Sequence, residues 1–426
     1  MGYQAKTWSV FNDRCPWIMT ALSLDQFNRL MTELNLFETS PIVAIATSGG
    51  PDSLALALLA HEWARAKGGK AIALTVDHHL RNESTREAFQ VKTWLEARAM
   101  EHHILNWIPV EKPTTGLQAK ARDARYGLLG EWCKIHGVKH LLIAHHAQDQ
   151  LETFMIRLAK GSGLKGLTGM QGKVATDFGY ILRPLLTIDS QDLKDTLQKA
   201  EQPYMKDPSN ENEDFTRIRW RKILPLLEAE GLNSTTFQET LDRLNHAQKL
   251  IDQQITRLFE QYVTLSPHGY AILTKNTLEE SPEAFEEILK RVLTILGTRA
   301  YPVRRQALHR AMDAMTAGNS LTLGGCQILD KAKEWWIVRE PAAVSDDINA
   351  TQPGAYDWDD RFSVEVTKAP CRISALGEKG LQKMSQETKK SLKAIPHIVL
   401  QTLPALWQGD DLLDPLPAFK FKPCLK

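Results

Sequence analysis

At 426 residues the chain is too long for one ordinary core and predicts two or three domains. Its 52 Lys and Arg against 51 Asp and Glu exclude a globally polycationic protein, so a nucleic-acid partner would have to be met through local basic patches. The cysteines, Cys15, Cys133, Cys326, Cys371 and Cys424, are odd in number and scattered, with no Cys-x-x-Cys, which argues against a disulfide framework, a zinc ribbon or an iron-sulfur site and fits a reduced, cytoplasmic compartment.

Residues 1–20 lack the basic start, apolar core and small-residue cleavage site of a signal peptide and are expected to be a loose extension. No stretch approaches the ~18 apolar residues of a spanning helix, so a soluble chain with no membrane partner is expected. In residues 24–36 the apolar Phe27, Leu30, Met31 and Leu34 have helical spacing. From 41 to about 150 a short apolar run, a turn and a long amphipathic run alternate. The apolar runs are IVAIA (42–46), AIALTV (71–76), HILNW (103–107) and HLLIAH (140–145). This alternation predicts an α/β fold, a doubly wound parallel sheet with helices on both faces. Ligands bind such sheets beyond the carboxyl ends of the strands, where the polar clusters 48–53, 77–81 and 145–149 fall together.

The glycine-rich segment GSGLKGLTGM (161–170) is too punctuated for a helix or strand interior and predicts a connector. ILRPLL follows, then a helix-like stretch at 189–201 and a basic run containing Arg217, Arg219, Arg221 and Lys222. Beyond Gly231 long amphipathic helices are expected at 235–262, 283–296 and 303–317, then a hairpin in NSLTLGGCQIL, and from about 355 short strands, a lysine-dotted stretch and a Pro-rich tail. These shifts predict an N-terminal extension and helix (1–40), a catalytic domain (41–230), a mainly helical domain (231–354) and a small C-terminal α+β unit (355–426).

Residues 46–64, ATSGGPDSLALALLAHEWA, look like a phosphate-holding loop without the lysine of the familiar P-loop. Gly49 and Gly50 permit a tight turn that brings bare N–H groups to an anion, Ser48 and Ser53 add donors, and the helix starting at Pro51 and Asp52 directs its positive end there. Asp52 is equally a good helix cap with no catalytic duty.

The string SGGPDS resembles the loop of the ATP pyrophosphatases, the PP-loop family, which grip the β- and γ-phosphates of ATP and leave the α-phosphate open to attack. TVDHHLR (75–81), QAKARDARYGLL (118–129), AHHAQDQLETFMIRLAKGSGLKGLTGM (144–170), RPLL (183–186) and DPSN (207–210) occur in the order and spacing of the tRNA(Ile)-lysidine synthetase family. The resemblance is close over residues 40–230 and looser through YPVRRQALHRAM and LTLGGCQI. It implies an AMP-forming carbon–nitrogen ligase. ATP, with Mg²⁺, adenylates C2 of the wobble cytidine of tRNA(Ile) bearing a CAU anticodon, and free L-lysine then displaces AMP to form lysidine, turning an AUG reader into an AUA reader. It further implies that Ser48, Gly49, Gly50, Pro51, Asp52 and Ser53 hold the nucleotide phosphates, that Asp77 and His78 contact adenosine, and that Asp52, Arg122, Asp149, Glu152 and Arg221 are catalytic. The region 231–354 would bind tRNA.

Each of these residues also has a plainer reading. Asp77 is a competent turn former at a strand end, and Arg122 with Arg125 could be a solvated helix face beside Asp123. His145 and His146 with Asp149 lack a third ligand set of known spacing, so no metal site is assigned. Asp149 and Glu152 lie three apart and share a helix face, while Gln148 stands where the family often has a second acid. Counting from Phe215 makes Arg221 the catalytic-looking arginine; counting back from Pro225 admits Arg219. The rivals are a thiolating tRNA enzyme, which needs a reactive cysteine, a small-molecule ligase, which does not need the later domains, and a non-catalytic tRNA-binding protein, against which the complete loop argues. Oligomeric state is left open, with a dimer among the options.

Overall fold

The computed structural model describes residues 21–34, 36–79, 83–108, 117–205, 216–297 and 303–423. The expected extension 1–20, Arg81 in TVDHHLR, the DPSN segment, Tyr301, Pro302 and Cys424 lie outside the described residues. The chain divides into two compact units, 1–248 and 249–426.

The first unit runs α1 (Leu24–Leu34), β1 (Ile42–Ala46), α2 (Pro51–Ala66), β2 (Lys70–Asp77), α3 (Ser84–Glu96), β3 (Glu101–Asn106), α4 (Leu117–Ile135), β4 (His140–Leu142), α5 (Ala147–Ala159), α6 (Leu164–Leu167), β5 (Lys173–Ala175), β6 (Tyr180–Leu182), α7 (Ser190–Lys199), α8 (Thr216–Ala229) and the start of α9 (Ser234–Tyr262). The sheet order is β3-β2-β1-β4-β6-β5. All neighbouring pairs are parallel except β5 with β6.

Alternation along the central strands explains why both faces are covered. Val43 and Ile45 of β1, with Ala71 and Ala73 of β2, enter a core shared with α1, α2 and α7. Ala44, Ile72 and Leu74, one residue out of step, enter a second core with Leu129, Trp132 and Cys133 of α4. A period of two with both sides apolar is the pattern of a strand buried on both faces. β4 ends at Leu142, earlier than its apolar run, because His145 N–H turns back to the Ile143 carbonyl at 3.0 Å. The glycine-rich connector contains a short helix after all, α6, pinned by Arg157, whose guanidinium donates to the Gly166 and Gly169 carbonyls at 2.8 and 2.9 Å.

The second unit begins within α9 and continues β7 (Val263–Leu265), β8 (Tyr270–Thr274), α10 (Pro282–Gly297), α11 (Arg305–Thr316), β9 (Leu321–Leu323), β10 (Cys326–Asp330) and β11 (Glu334–Arg339). It closes with β12 (Ile348–Ala350), β13 (Gly354–Trp358), β14 (Phe362–Val366), β15 (Cys371–Ala375), α12 (Gly377–Lys383), α13 (Gln386–Ser391), α14 (His397–Gln401), β16 (Pro404–Gln408), β17 (Asp411–Asp414) and β18 (Phe419–Phe421). The stretch expected to be mainly helical thus also carries an antiparallel sheet, β7-β8-β11-β10-β9, whose strands are too short to stand out in the sequence. The sequence places boundaries near 230 and 354, whereas the compact units part between 248 and 249. Two packing facts account for the difference: Phe237 and Leu241 of α9 pack with Leu151 of α5, and Val338 of β11 shares a core with Val364 and Ile373. Within this unit the buried Asp359 carboxylate accepts from Arg339 at 3.0 Å and Arg361 at 2.6 Å, which neutralises charges that burial alone would make costly. No helix among the described residues is long and apolar enough to cross a membrane.

Candidate active site

The chain leaves β1 toward one edge of the sheet through β2 and β3, then returns to place β4 on the other side of β1. At that reversal the loops after β1 and β4 diverge and open a crevice above their carboxyl ends. The loop after β1 is 47–50, and the one after β4 delivers His145 and His146 into α5.

Gly49 has φ +84°, and a Cβ there would lie 2.7 Å from Val91 Cγ2, so only glycine fits. Gly50 is the N-cap of α2 and makes no side-chain cap, with Pro51 in the first turn, which leaves the positive end of the helix facing the crevice. Ser53 is buried and braces the loop: its hydroxyl donates to the Gly50 carbonyl at 3.0 Å and accepts the Ser48 N–H at 3.1 Å.

Beside this loop lies a cavity of about 350 Å³, a size usual for small-molecule sites. Its walls include Ala46, Leu74, Val76, Leu129 and Ile143, and its polar groups include Ser48, Asp52, Glu87, Arg125, His78 and His145. Arg125 lies over the Tyr126 ring at 5.5 Å. His78 packs edge-on to Trp107, its Nδ1 is buried without a partner, and burial with the Arg125 charge lowers its imidazole pKa.

Beyond the phosphate loop, the first two turns of α5 present the carboxylates of Asp149 and Glu152 to α8. Glu152, whose side chain is 0% exposed, accepts from Arg221 Nε at 2.5 Å, and Asp149 Oδ1 lies 3.8 Å from Arg221 Nη2. Burial holds the Glu152 carboxyl above the usual range, Asp149 adds to that, and Arg221 opposes it. His146 Nε2 lies 3.6 Å from Asp52 Oδ2 and 3.5 Å from Asp149 Oδ2. Burial disfavours its charge, but hydrogen bonding to Asp52 and the negative charges of Asp149, Asp52 and Glu152 prevail and raise it. Its neighbour His145 goes the other way: burial pushes it down to about 3, and its Nδ1 accepts from Arg183 Nε at 3.0 Å. Adjacent imidazoles are therefore shifted in opposite directions. Among the described residues the buried oxygens Asp52 Oδ1 and Glu152 Oε2 have no hydrogen-bond partner.

The structure brings Ser48, Gly49, Gly50, Pro51, Asp52, Ser53, Asp149, Glu152 and Arg221 to one crevice. Of the competing arginines, Arg221 meets the carboxylates, while Arg219 donates to Thr216 at 3.2 Å. Asp77 does not line the cavity: both its oxygens are taken, by Ser84 and Thr85 hydroxyls at 2.6 Å and the His79 N–H at 2.9 Å, so it organises the turn into α3. Arg122 is exposed against Tyr126 and absent from the cavity wall, where Arg125, three residues on, stands instead. Gln148 is occupied with α7, donating to Asp189 at 2.7 Å and accepting the Ser190 N–H at 3.1 Å. The sequence reading assigned no role to His146 or Arg183; the loop position of HH beyond β4 and the cation in RPLL were the available signals. Cys133 is fully buried and its thiol is pushed up to about 12 by burial, so it offers no thiolate for a thiolating mechanism.

A family model for the PP-loop domain matches residues 20–227. The tRNA(Ile)-lysidine synthase of Orientia tsutsugamushi (strain Boryong) is 34% identical over 345 residues, covering 78% of this chain and 77% of that protein. The synthase of Ruegeria pomeroyi is 32% identical over 386 residues, with 87% of each chain covered. That of Wolbachia pipientis wMel is 33% identical over 361 residues, covering 82% and 81%. Likeness of this extent, carried well past the phosphate-loop domain, leads to one conclusion: the chain belongs to the tRNA(Ile)-lysidine synthase family of PP-loop ATP pyrophosphatases.

Proposed function

We propose that the chain joins free L-lysine to C2 of the wobble cytidine of tRNA(Ile) with a CAU anticodon, in two steps at the crevice between the phosphate loop and α5. In the first, the cytidine O2 attacks the α-phosphorus of ATP, the bond to the bridging oxygen of the β-phosphate breaks, and pyrophosphate leaves. In the second, the lysine ε-amine attacks C2, the C2–O bond breaks, AMP departs and the amine gives up a proton. Most of the catalytic demand is alignment of reactants and stabilisation of phosphate charge.

The observation that carries this reading is the convergence of Asp52, Asp149, Glu152 and Arg221 beside an anion-binding helix start, with buried carboxylate oxygens left open at Asp52 and Glu152. The backbone at 48–50 and the start of α2 hold the leaving phosphates; the apolar cavity takes adenosine against His78. Asp149 and Glu152 receive the ammonium of lysine, the ligand type that open carboxylate oxygens favour. Arg221 reaches both carboxylates and can turn toward phosphate once lysine takes its place. Arg122 of α4, exposed and outside the cavity wall, contributes long-range positive charge felt at His145, as Arg125 in the wall does at His78. The open Asp52 oxygen also suits Mg²⁺, which would be held by Asp52 together with phosphate oxygens and would neutralise charge on the departing pyrophosphate. The unit after residue 248 supplies tRNA contacts outside the anticodon. AMP release from ATP should require both lysine and an unmodified CAU-bearing tRNA; AMP formed equally well without tRNA, or with any amino acid, would refute the reading.

A further inference from the structure

His146 lies where the phosphate-loop and lysine halves of the crevice meet. Its side chain is 7% exposed, and its Nε2 edge stands almost equidistant from Asp52 of α2 and Asp149 of α5, at 3.6 and 3.5 Å. At those distances one ring faces two carboxylates at once, one from each half of the crevice. Among the described residues it is the one basic side chain paired with Asp52 within 4 Å. Asp149 is bound to the same residue twice, since its Oδ2 also accepts the His146 backbone N–H at 3.2 Å. Facing groups from the other packed element are Arg221 of α8, which engages Asp149 and Glu152. Take the ring away and the partly exposed Asp52 carboxylate confronts the buried Asp149 carboxylate across a gap, with nothing to fix their separation.

We propose that His146 is a positioning residue that ties Asp52 to Asp149 and so sets the phosphate-binding and lysine-binding halves of the site at a working distance from each other. His145 cannot take this part, because its Nδ1 is engaged by Arg183. The arrangement makes one residue govern the affinity for two chemically unlike substrates, a nucleoside triphosphate and an ammonium. The proposal rests on the ligase reading given above.

The test is a pair of near-isosteric variants of the full chain, His146→Gln and His146→Asn. The glutamine amide nitrogen reaches the place of Nε2; the asparagine amide nitrogen reaches only that of Nδ1. With CAU-bearing tRNA saturating, KM for ATP is read from pyrophosphate formation and KM for lysine from AMP formation. His146→Asn should raise both constants about tenfold, the scale of one charge-assisted hydrogen bond, while His146→Gln should keep both within about threefold. A role confined to folding would lower the melting temperature and kcat and leave both KM values in place. Equal behaviour of the two variants, or a rise in only one KM, overturns the proposal. A wild-type chain with no lysine-dependent AMP formation would instead overturn the ligase reading.

Discussion

Replacing Arg221 by methionine keeps the length and apolar stem of the side chain but removes the guanidinium on which Glu152 depends. In the folded protein one Glu152 oxygen accepts from Arg221 Nε at 2.5 Å, the other has no partner among the described residues, and Asp149 lies close enough to add like charge. Breaking a buried pair by deleting one member costs about 3–5 kcal/mol, because a charge is left buried and alone. The Arg221 side chain is 42% exposed, so water screens part of the interaction and we expect about 2 kcal/mol. In a unit of this size that is a fall in melting temperature of roughly 4–8 °C. The sign with pH follows from the Glu152 shift. Burial, the largest cause, already raises its pKa above the ordinary value of 4.5, and losing Arg221 raises it further. A carboxyl whose folded pKa is raised favours folding below the unfolded pKa and loses that contribution as pH rises through the folded value. The gap between wild type and Arg221→Met should therefore be small near pH 4.5 and widen toward pH 8, read by calorimetry across that range. Adding Glu152→Gln to the variant should recover most of the loss, since the uncompensated charge is gone. A gap that stays constant or narrows with rising pH, or a double variant no more stable than the single one, would refute the reasoning.

Other expectations concern each part of the site. Asp52→Asn should abolish AMP and pyrophosphate formation with tRNA affinity nearly intact, and near-normal turnover would remove Asp52 from the activation step. Gly49→Ala forces a side chain onto a φ of +84° and against Val91 Cγ2, so stability should fall by about 2 kcal/mol in chemical denaturation and KM for ATP should rise. On α11, Arg304 is exposed and Arg305 reaches Glu286 at 3.3 Å, an acid shared with His309. Replacing both arginines by alanine should weaken tRNA binding and flatten its salt dependence with little change in ATP affinity, Arg304 contributing more; filter binding over a salt series in which slope and affinity are unaltered would make this face a scaffold.

The order of strands and helices in the first unit was legible in the sequence because each apolar run is short, bounded by turn residues and followed by an amphipathic stretch, and these are local properties of a few consecutive residues. The phosphate loop was legible for the same reason, since Gly49 and Gly50 announce a backbone shape whatever surrounds them. What the tertiary structure alone decided is which side chains face one another across elements. Nothing in TVDHH shows that Ser84 and Thr85 would claim both oxygens of Asp77, and nothing in ARDAR shows that Arg125 rather than Arg122 would line the cavity, because the choice depends on how α4 is rotated over the sheet. That Arg221 is the arginine of this run that meets Glu152, 69 residues away in the chain, is also visible only in space. The partition of the chain within α9 likewise depends on where Phe237 and Leu241 find apolar partners. His146 shows the same division within one dipeptide: the sequence presents two equivalent histidines, and only burial beside Arg183 for one, and a place between Asp52 and Asp149 for the other, shifts their proton affinities in opposite directions.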